Sequence, residues 1–556
     1  MKWASIAPLA FAVGTSALPQ ITRTGKYLYD PQGTRFFIKG VAYQPQGELA
    51  ADSAANQANG GFPEPSSYID PLSSAQNCTR DLPYLRQLGV NAVRVYSVDP
   101  ANNHDECMKA FDDAGIYVLL DVSLPLNGSI DRSSPSWTTN LLDEYTRTID
   151  AFNKYDNVLG YNIGNEVVNT AGNTNAAPFV KAAARDVKAY LGAIGSKALV
   201  GYAAVDGDAD FRNNMAEYMT CGDEADLVDL YGLNNYEWCG NSTLASSGWQ
   251  AITTGFQNIP VATYMSEFGC IFSPPRVWNE VAALYSSPVS DVFSGGVAFS
   301  YFPTSDGYGM VTFSGNGQSV QTSDDFRRLA AEYNSTATPT GPARSSASQG
   351  RIDCPPENSS FLANNTLPPT PDEQVCNCID QNAFACKVKN STANQPAVVG
   401  SLLDYACSLL GQSRSTACNA IAGNGTSGVY GPLAMCSPAI KLSYAMSAYF
   451  SLNPIASSCD FGGNATIVQN GPNTSKDASD AAASCLAKQP ASGVFTPSPS
   501  SAGPSSTGSS SPSGASSAAA QSTGAATASI QHLSVGGLAG LMFAVLGMGA
   551  GARIVL

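Results

Sequence analysis

Two runs decide the fold: Gly160-Tyr161-Asn162-Ile163-Gly164-Asn165-Glu166 and Tyr264-Met265-Ser266-Glu267-Phe268-Gly269-Cys270. Each is a short apolar and aromatic stretch that stops at a glutamate. Working outward, similar strand signals occur at residues 36–43, 91–98, 116–123, 158–165, 198–205, 227–236, 261–267 and 295–302. Helix-like stretches lie between them, at 79–88, 141–154, 176–191 and 277–285. Such an alternation over roughly 300 residues predicts an α/β fold, a closed (β/α)8 TIM barrel. A doubly wound open sheet competes with it. That fold would show a Gly-rich phosphate loop after an early strand, and none is found.

In a (β/α)8 barrel the chemistry sits at the C-terminal ends of the strands. Glu166 ends the fourth strand signal and Glu267 the seventh. A lone Glu at a strand end is as readily a loop salt bridge or a helix cap. Two of them, facing each other across the barrel mouth, predict carboxyls about 5 Å apart. That is the arrangement of a retaining glycosidase, where one group protonates the leaving oxygen and the other attacks the sugar. Asn165 is placed to reach the 2-hydroxyl of the reacting sugar.

Composition narrows the classes. The net charge is −15 with 29 basic residues, so no basic surface is available for nucleic acid. Of the two histidines, His532 lies in a tail expected to be removed, which leaves His104. Histidine triads and His-rich metal sites lack material. No cofactor and no metal are expected, and carboxylates should carry the proton chemistry.

Both termini read as addresses. Lys2, the apolar stretch 3–13 and Thr15-Ser16-Ala17 predict a secretory signal over 1–17, with the mature chain starting at Leu18. The apolar run is short of the ~20 residues that span a bilayer. At the other end, a Ser-rich stalk (489–524) leads to an apolar tail broken only by Arg553. This predicts a GPI-anchor signal at 525–556, removed on attachment at Ser522 or Gly524. A single-span helix is the alternative, but no basic flank follows it. Sequons at Asn77, Asn127, Asn241, Asn334, Asn358, Asn364, Asn390, Asn424, Asn464 and Asn473 fit a secreted glycoprotein. The expected location is the outer face of the plasma membrane or the cell wall, with the lipid as the one membrane contact.

The 14 Cys are read as disulfides. They are sparse between residues 78 and 270 and dense between 354 and 485. Residues 337–348 are rich in Thr, Pro, Ala and Ser, as a linker would be. The expected domains are a catalytic barrel (18–340), a linker tied back by Cys354 (341–371) and a Cys-rich module (372–488). Leu402, Leu403, Ala406, Leu409 and Leu410 make the module mainly helical. Four bridges compensate there for a modest core.

The chain also resembles the fungal glucanosyltransferases of glycoside hydrolase family 72. The resemblance runs through Phe37-Ile38-Lys39-Gly40-Val41-Ala42-Tyr43-Gln44, Asn91-Ala92-Val93-Arg94-Val95-Tyr96, Gly164-Asn165-Glu166, Leu233-Asn234-Asn235-Tyr236 and Ser266-Glu267-Phe268-Gly269-Cys270. It implies a β-1,3-glucan donor, a covalent glycosyl-enzyme and transfer to a second glucan chain, by a monomer. It makes Glu166 the acid/base and Glu267 the nucleophile. Gln44, Tyr96, Asp121, Asn165 and Tyr236 would line the donor cleft beside a loop at 123–131. The family's strand-eight motif carries two Tyr, whereas this chain has Phe299 and Tyr301, and Tyr301 is kept as a candidate. On the acceptor side Arg212 fits, while Asp206 sits at a shifted spacing.

Spacing alone leaves the pairing of the Cys open. The resemblance implies Cys78–Cys107, Cys239–Cys270 and Cys221–Cys354 in the barrel. The run Cys459-Asp460-Phe461-Gly462-Gly463-Asn464-Ala465-Thr466 resembles a family 43 carbohydrate-binding module. That implies Cys376–Cys436, Cys378–Cys485, Cys386–Cys459 and Cys407–Cys418. The module either binds β-glucan or braces the barrel. Two other functions compete: an endo-glucanase or mannanase that only shortens its substrate, and a lectin-like wall protein, which loss of either Glu would have favoured.

Overall fold

The computed structural model describes residues 18–47, 67–125, 128–315 and 317–498. The expected signal (1–17), most of the stalk, Ser522, Gly524, the tail 525–556 and Asn127 lie outside the described residues.

Eight parallel strands close into a barrel: Ile38–Ala42 (β1), Ala92–Val95 (β2), Tyr117–Asp121 (β3), Val158–Asn165 (β4), Leu199–Val205 (β5), Leu230–Asn234 (β6), Ala262–Phe268 (β7) and Phe293–Ala298 (β8). The register Gly295↔Ile38 to Ala298↔Val41 joins β8 to β1, which rules out the open sheet. Each strand is followed by a helix: Ala75–Leu88 (α1), Asp105–Asp112 (α2), Thr139–Phe152 (α3), Ala177–Ala193 (α4), Ala209–Thr220 (α5), Trp249–Gly255 (α6), Glu280–Leu284 (α7) and Asp324–Ser335 (α8). The helix expected at 277–285 is shorter because Trp278 takes a left-handed φ of 61°, which no α-helix accommodates. The one expected at 79–88 starts earlier, because the Ser74 side chain caps it by accepting from Asn77 N.

The strands read as apolar runs because both of their faces are covered. Ile38, Ala92, Leu119, Leu159, Leu199, Leu230, Tyr264 and Val297 fill the interior, and Ile21 and Leu28 from the N-terminal hairpin join that cluster. Val41, Val93, Val95, Val118, Leu120 and Val200 face the helices. The two-residue period of a strand then turns Arg94 and Asp121 inward, one step above Ala92 and Leu119. Two register shifts break the period where it matters. One lies between Tyr264 and Glu267 in β7, the other between Asn162 and Asn165 in β4. Such irregularities re-aim side chains, and here they bring Glu267 and Asn165 into the mouth.

The expected linker is an extended strap. Arg344 bonds the Thr22 hydroxyl and the Asp30 carbonyl at the base of the barrel. Cys354 is bonded to Cys221, which caps the C-terminal end of α5. Beyond it stand the helices Glu373–Asn382 (α9), Pro396–Gln412 (α10), Pro438–Leu452 (α11) and Ser475–Leu486 (α12), with two short sheets, Cys386–Val388 against Ala465–Ile467 and Gly423–Asn424 against Val429–Tyr430. Ala406 and Leu410 are buried in this module, and Leu402, Leu403 and Leu409 pack at its edge. The remaining disulfides are Cys78–Cys107, Cys239–Cys270, Cys376–Cys436, Cys378–Cys485, Cys386–Cys459 and Cys407–Cys418.

Module and barrel form one compact unit. Thr139 N donates to Met435 O at 2.9 Å, and Phe179 meets Tyr430 edge-on at 5.5 Å. Gly425 lies so close to the barrel that a Cβ there would sit 1.9 Å from Asn175 O. The buried Asp186 of α4 accepts from Trp137 Nε1 (2.8 Å) and Thr370 Oγ1 (2.7 Å). Thr370 N in turn donates to Gly493 O at 2.9 Å. Residues just beyond 488 therefore belong to the folded body, and the stalk expected from 489 begins later.

The Cys221–Cys354 bridge closes 133 residues, and the buried Lys181 ammonium stands 3.1 Å from Cys221 Sγ. Replacing both cysteines by Ala is expected to lower the unfolding free energy by about 3–5 kcal/mol in the chain-entropy picture. Denaturant unfolding with midpoint and m-value both fitted checks this, and an unchanged unfolding free energy refutes it.

Candidate active site

Arg94 is the centre of the barrel mouth. A charge inside an apolar strand must be paired to be tolerated, and this one is paired on every side. Its Nη2 donates to Asp121 Oδ2 and to Asn165 Oδ1, both at 2.8 Å. Its Nη1 donates to Glu267 Oε1 at 3.1 Å and to Ser266 O at 3.2 Å. Asp121 also accepts from Asn162 Nδ2 at 2.6 Å. Arg94 and Asp121 are fully buried, so this is a floor beneath the carboxyls rather than a part of the cleft wall.

Glu267 accepts two phenolic bonds as well, from Tyr96 (2.9 Å) and Tyr236 (2.8 Å). Glu166 accepts one bond, from Asn234 Nδ2 at 2.7 Å. Asn234 is held in turn by Ser266, whose hydroxyl donates to its Oδ1 at 2.7 Å. The Glu166 backbone is left-handed, with φ 49°. That conformation is costly for a non-glycine residue and persists only when its surroundings over-determine it. They do so here: Glu166 N donates to Ala203 O (2.8 Å), and Arg132 donates to the carbonyls of Glu166 (2.8 Å) and Val167 (3.1 Å).

Burial pushes Glu267 up to about 7, against the pull of Arg94 and with the added repulsion of Glu166. Burial raises Glu166 too, opposed by the Asn234 bond and by the charges of Arg94 and Arg132. The two carboxyls titrate as a coupled pair. When the pair holds one proton, three donors including a guanidinium keep the charge on Glu267, and the proton rests on Glu166. Activity is therefore expected to be bell-shaped in pH. On the acid side both groups are protonated and no nucleophile exists. On the alkaline side both are ionised and no acid exists, and burial moves that limb above the ordinary carboxylate range. Stability has its own sign. A carboxyl raised in the folded state favours folding below its unfolded value, and that contribution is lost as pH rises through the folded value. The melting temperature should fall between about pH 4.5 and 7, and Glu267→Gln should flatten the fall. A pH–kcat/KM profile and thermal melts check both, and a flat profile contradicts the pairing.

An aromatic wall closes the cleft. Phe299 lies edge-on to Tyr96 (6.4 Å) and Tyr236 (6.3 Å), and Tyr308 packs against Phe299 (5.1 Å) and Tyr236 (5.6 Å). Among the residues singled out from sequence, Tyr96, Asn165, Glu166, Tyr236 and Glu267 meet in this cleft. Gln44 acts through the backbone, its Oε1 accepting from Tyr96 N (3.1 Å) and Ser97 N (3.0 Å). Tyr301 stands apart. It is buried with its hydroxyl on Asp81, beside Tyr43, because the chain leaves β8 before reaching it. Asp206 pairs with Arg212 at 3.0 Å and accepts from the amide of Asn235, whose backbone N donates to the Glu267 backbone carbonyl at 2.9 Å. Arg94, Asn234, Arg132 and Tyr308 were missed. Arg94 had a signal, a charge between Val93 and Val95 in an apolar run; Tyr308 had none. Among the described residues no cluster of three or more His, Cys, Asp or Glu could hold a metal ion.

A sequence profile described as glucanosyltransferase matches residues 11–337, more than half of the chain. The chain belongs to the glucanosyltransferase family. A second profile, the X8 domain, matches residues 384–466. The 1,3-beta-glucanosyltransferase gas1 of Schizosaccharomyces pombe is 42% identical over 449 residues, 80% of this chain and 78% of the relative. Protein EPD1 of Candida maltosa is 38% identical over 83% of this chain and 80% of its own. Among solved structures, Saccharomyces cerevisiae Gas2p in complex with laminaripentaose is 38% identical, with a TM-score of 0.71 over 81% of this chain and 97% of that one. The glucanosyltransferase barrel thus accounts for the larger domain and the X8 domain for the core of the smaller one.

Proposed function

We propose that the protein is a retaining β-1,3-glucanosyltransferase that cuts a β-1,3-glucan internally and passes the new end to another glucan chain. Glu267 attacks the anomeric carbon while Glu166 gives its proton to the leaving oxygen. A covalent glycosyl-enzyme results. Glu166, now ionised, takes a proton from a hydroxyl of the acceptor chain, which attacks the same carbon and releases Glu267. The observation that carries this reading is the unequal donor set: three groups hold charge on Glu267 and one amide serves Glu166. Tyr96, Tyr236 and Phe299 supply ring faces for pyranose C–H stacking. The relatives and the laminaripentaose complex support a β-1,3-linked donor and acceptor.

The proposed protein is a secreted monomer, held at the outer face of the plasma membrane or in the wall by a GPI lipid added at Ser522 or Gly524. Residues 1–17 and 525–556 are its removed addresses. No helix of the described residues is long and apolar enough to cross a membrane. The catalytic domain is the barrel of 18–340, and the close backbone contacts at Gly425 and Met435 favour bracing as one role of the module.

An end-labelled β-1,3-gluco-oligosaccharide tests the reading. Products longer than the substrate are expected from the secreted protein. Only shorter products would make it a hydrolase, and no change at all would favour a binding protein.

A further inference from the structure

The loop after β7 carries a buried guanidinium whose partners are spread over the ends of two strands. Arg276 Nη1 donates to Gly269 O at 3.1 Å and to Phe299 O at 2.5 Å. Gly269 is two residues past Glu267, and Phe299 is the ring between Tyr96 and Tyr236. Both carbonyls lie where the strand ladders have run out, so they need another donor. Asp325, in the first turn of α8, fixes the guanidinium from the far side, accepting from Nε at 2.7 Å and from Nη2. Asp325 also accepts from Trp278 Nε1 at 2.7 Å, and the guanidinium lies 4.4 Å from the Trp278 ring centre. The same guanidinium is 5.7 Å from the ring of Tyr308, which packs on Tyr236. Gly269 cannot be replaced without disturbing this arrangement. Its φ is +118°, and a Cβ there would sit 2.5 Å from the Trp278 ring.

We propose that Arg276 is a positioning residue for the reaction: by bridging the ends of β7 and β8 it aims the Glu267 carboxylate and the Phe299–Tyr236 wall at the same sugar. This rests on the glucanosyltransferase reading above. The register shift between Tyr264 and Glu267 breaks the regular alternation just before Glu267, which then pairs with Asn234. Pairing continues as far as Phe268, whose carbonyl accepts from Phe299 N at 2.9 Å, and Arg276 holds the next carbonyls, those of Gly269 and Phe299, where the ladders stop. A planar, forked donor suits this task, because one group reaches two carbonyls and a carboxylate at fixed angles. Lysine keeps the charge without the fork.

The test uses the secreted protein with Arg276→Lys and, separately, Asp325→Asn. Both are assayed well below their melting temperatures, with the folded fraction set by circular dichroism. The expected result is a kcat roughly 10- to 100-fold lower, the cost of misplacing a reacting group by about an ångström, with KM nearly unchanged. Trapping of Glu267 by an activated 2-fluoro glucoside should slow by the same factor, which a merely less stable protein at full folded fraction would not show. Added guanidinium ion at millimolar concentration should restore part of the trapping rate in Arg276→Gly. Wild-type kcat and trapping rate in folded Arg276→Lys and Asp325→Asn would overturn the proposal and leave the transferase reading standing. A wild-type protein inactive on β-1,3-glucan and untouched by the trap would overturn both.

Discussion

Glu267→Gln is expected to lose kcat by a factor on the order of 10⁶ on every donor, the scale of deleting a covalent nucleophile, while Glu166→Gln loses roughly 10²–10⁴ on natural glucan only. In the proposed reaction the two carboxyls differ in what they must do. Glu267 must form a bond to carbon, and no feature of the donor can replace that. Glu166 must protonate a poor leaving group, and an aryl or fluoride leaving group needs no proton. With such an activated donor the first step should therefore proceed in Glu166→Gln and remain dead in Glu267→Gln. In the Glu166 variant the alkaline limb of that first step should also disappear, since no acid remains to ionise. Rates on β-1,3-gluco-oligosaccharide and on an activated laminari-oligosaccharyl donor, measured for both variants, decide the matter. Equal losses on both donors would refute the division of labour. An activated donor rescuing Glu267→Gln would reverse it.

Arg94→Met is expected to cost about 3–5 kcal/mol of stability and to reduce transfer below detection. The arginine is completely buried between two carboxylates, 2.8 Å from Asp121 and 3.1 Å from Glu267. Removing one partner of a buried ion network leaves uncompensated charge, which is far costlier than the network is worth. Methionine fills the space without the charge. Arg94 also opposes the effect of burial on Glu267. Without it Glu267 keeps its proton to higher pH, so any residual activity has its acid limb shifted upward. Arg94→Lys should recover part of the stability and little of the activity, because one ammonium cannot span Asp121, Asn165, Glu267 and the Ser266 carbonyl. Chemical denaturation, with kcat/KM against pH, checks the claim. A stable, active Arg94→Met would show that the site does not depend on this charge.

The legible part of the molecule is the part built from local pattern. Every barrel strand was visible because a strand covered on both faces is apolar at every step, as in Val118-Leu119-Leu120 and Leu199-Val200. Glu166 and Glu267 were visible because a charge that ends such a run stands at the catalytic face of a barrel. Arg94 was half visible. Its charge between Val93 and Val95 demanded a partner, but its partners come from β3, β4, β6 and β7, which no local reading can align. Tyr301 and Tyr308 mark the limit. Tyr301 followed the β8 signal closely and turned into the core beside Asp81. Tyr308, on a loop with no pattern of its own, came to the cleft.

The sequence by itself determined the eight strands, the two glutamates, the Cys-rich second domain and the acidic, histidine-poor character that leaves proton chemistry to carboxylates. These follow from composition and from periods of two or three to four residues, which act over a few neighbours. The tertiary structure alone decided the pairing of the cysteines, the packing of the strap and module on α4, the turn of Glu267 across its register shift and the donor set that separates Glu267 from Glu166. Each of these depends on residues far apart in the chain being brought within a few ångströms. That distance is set by closure of the barrel, and no local period encodes it.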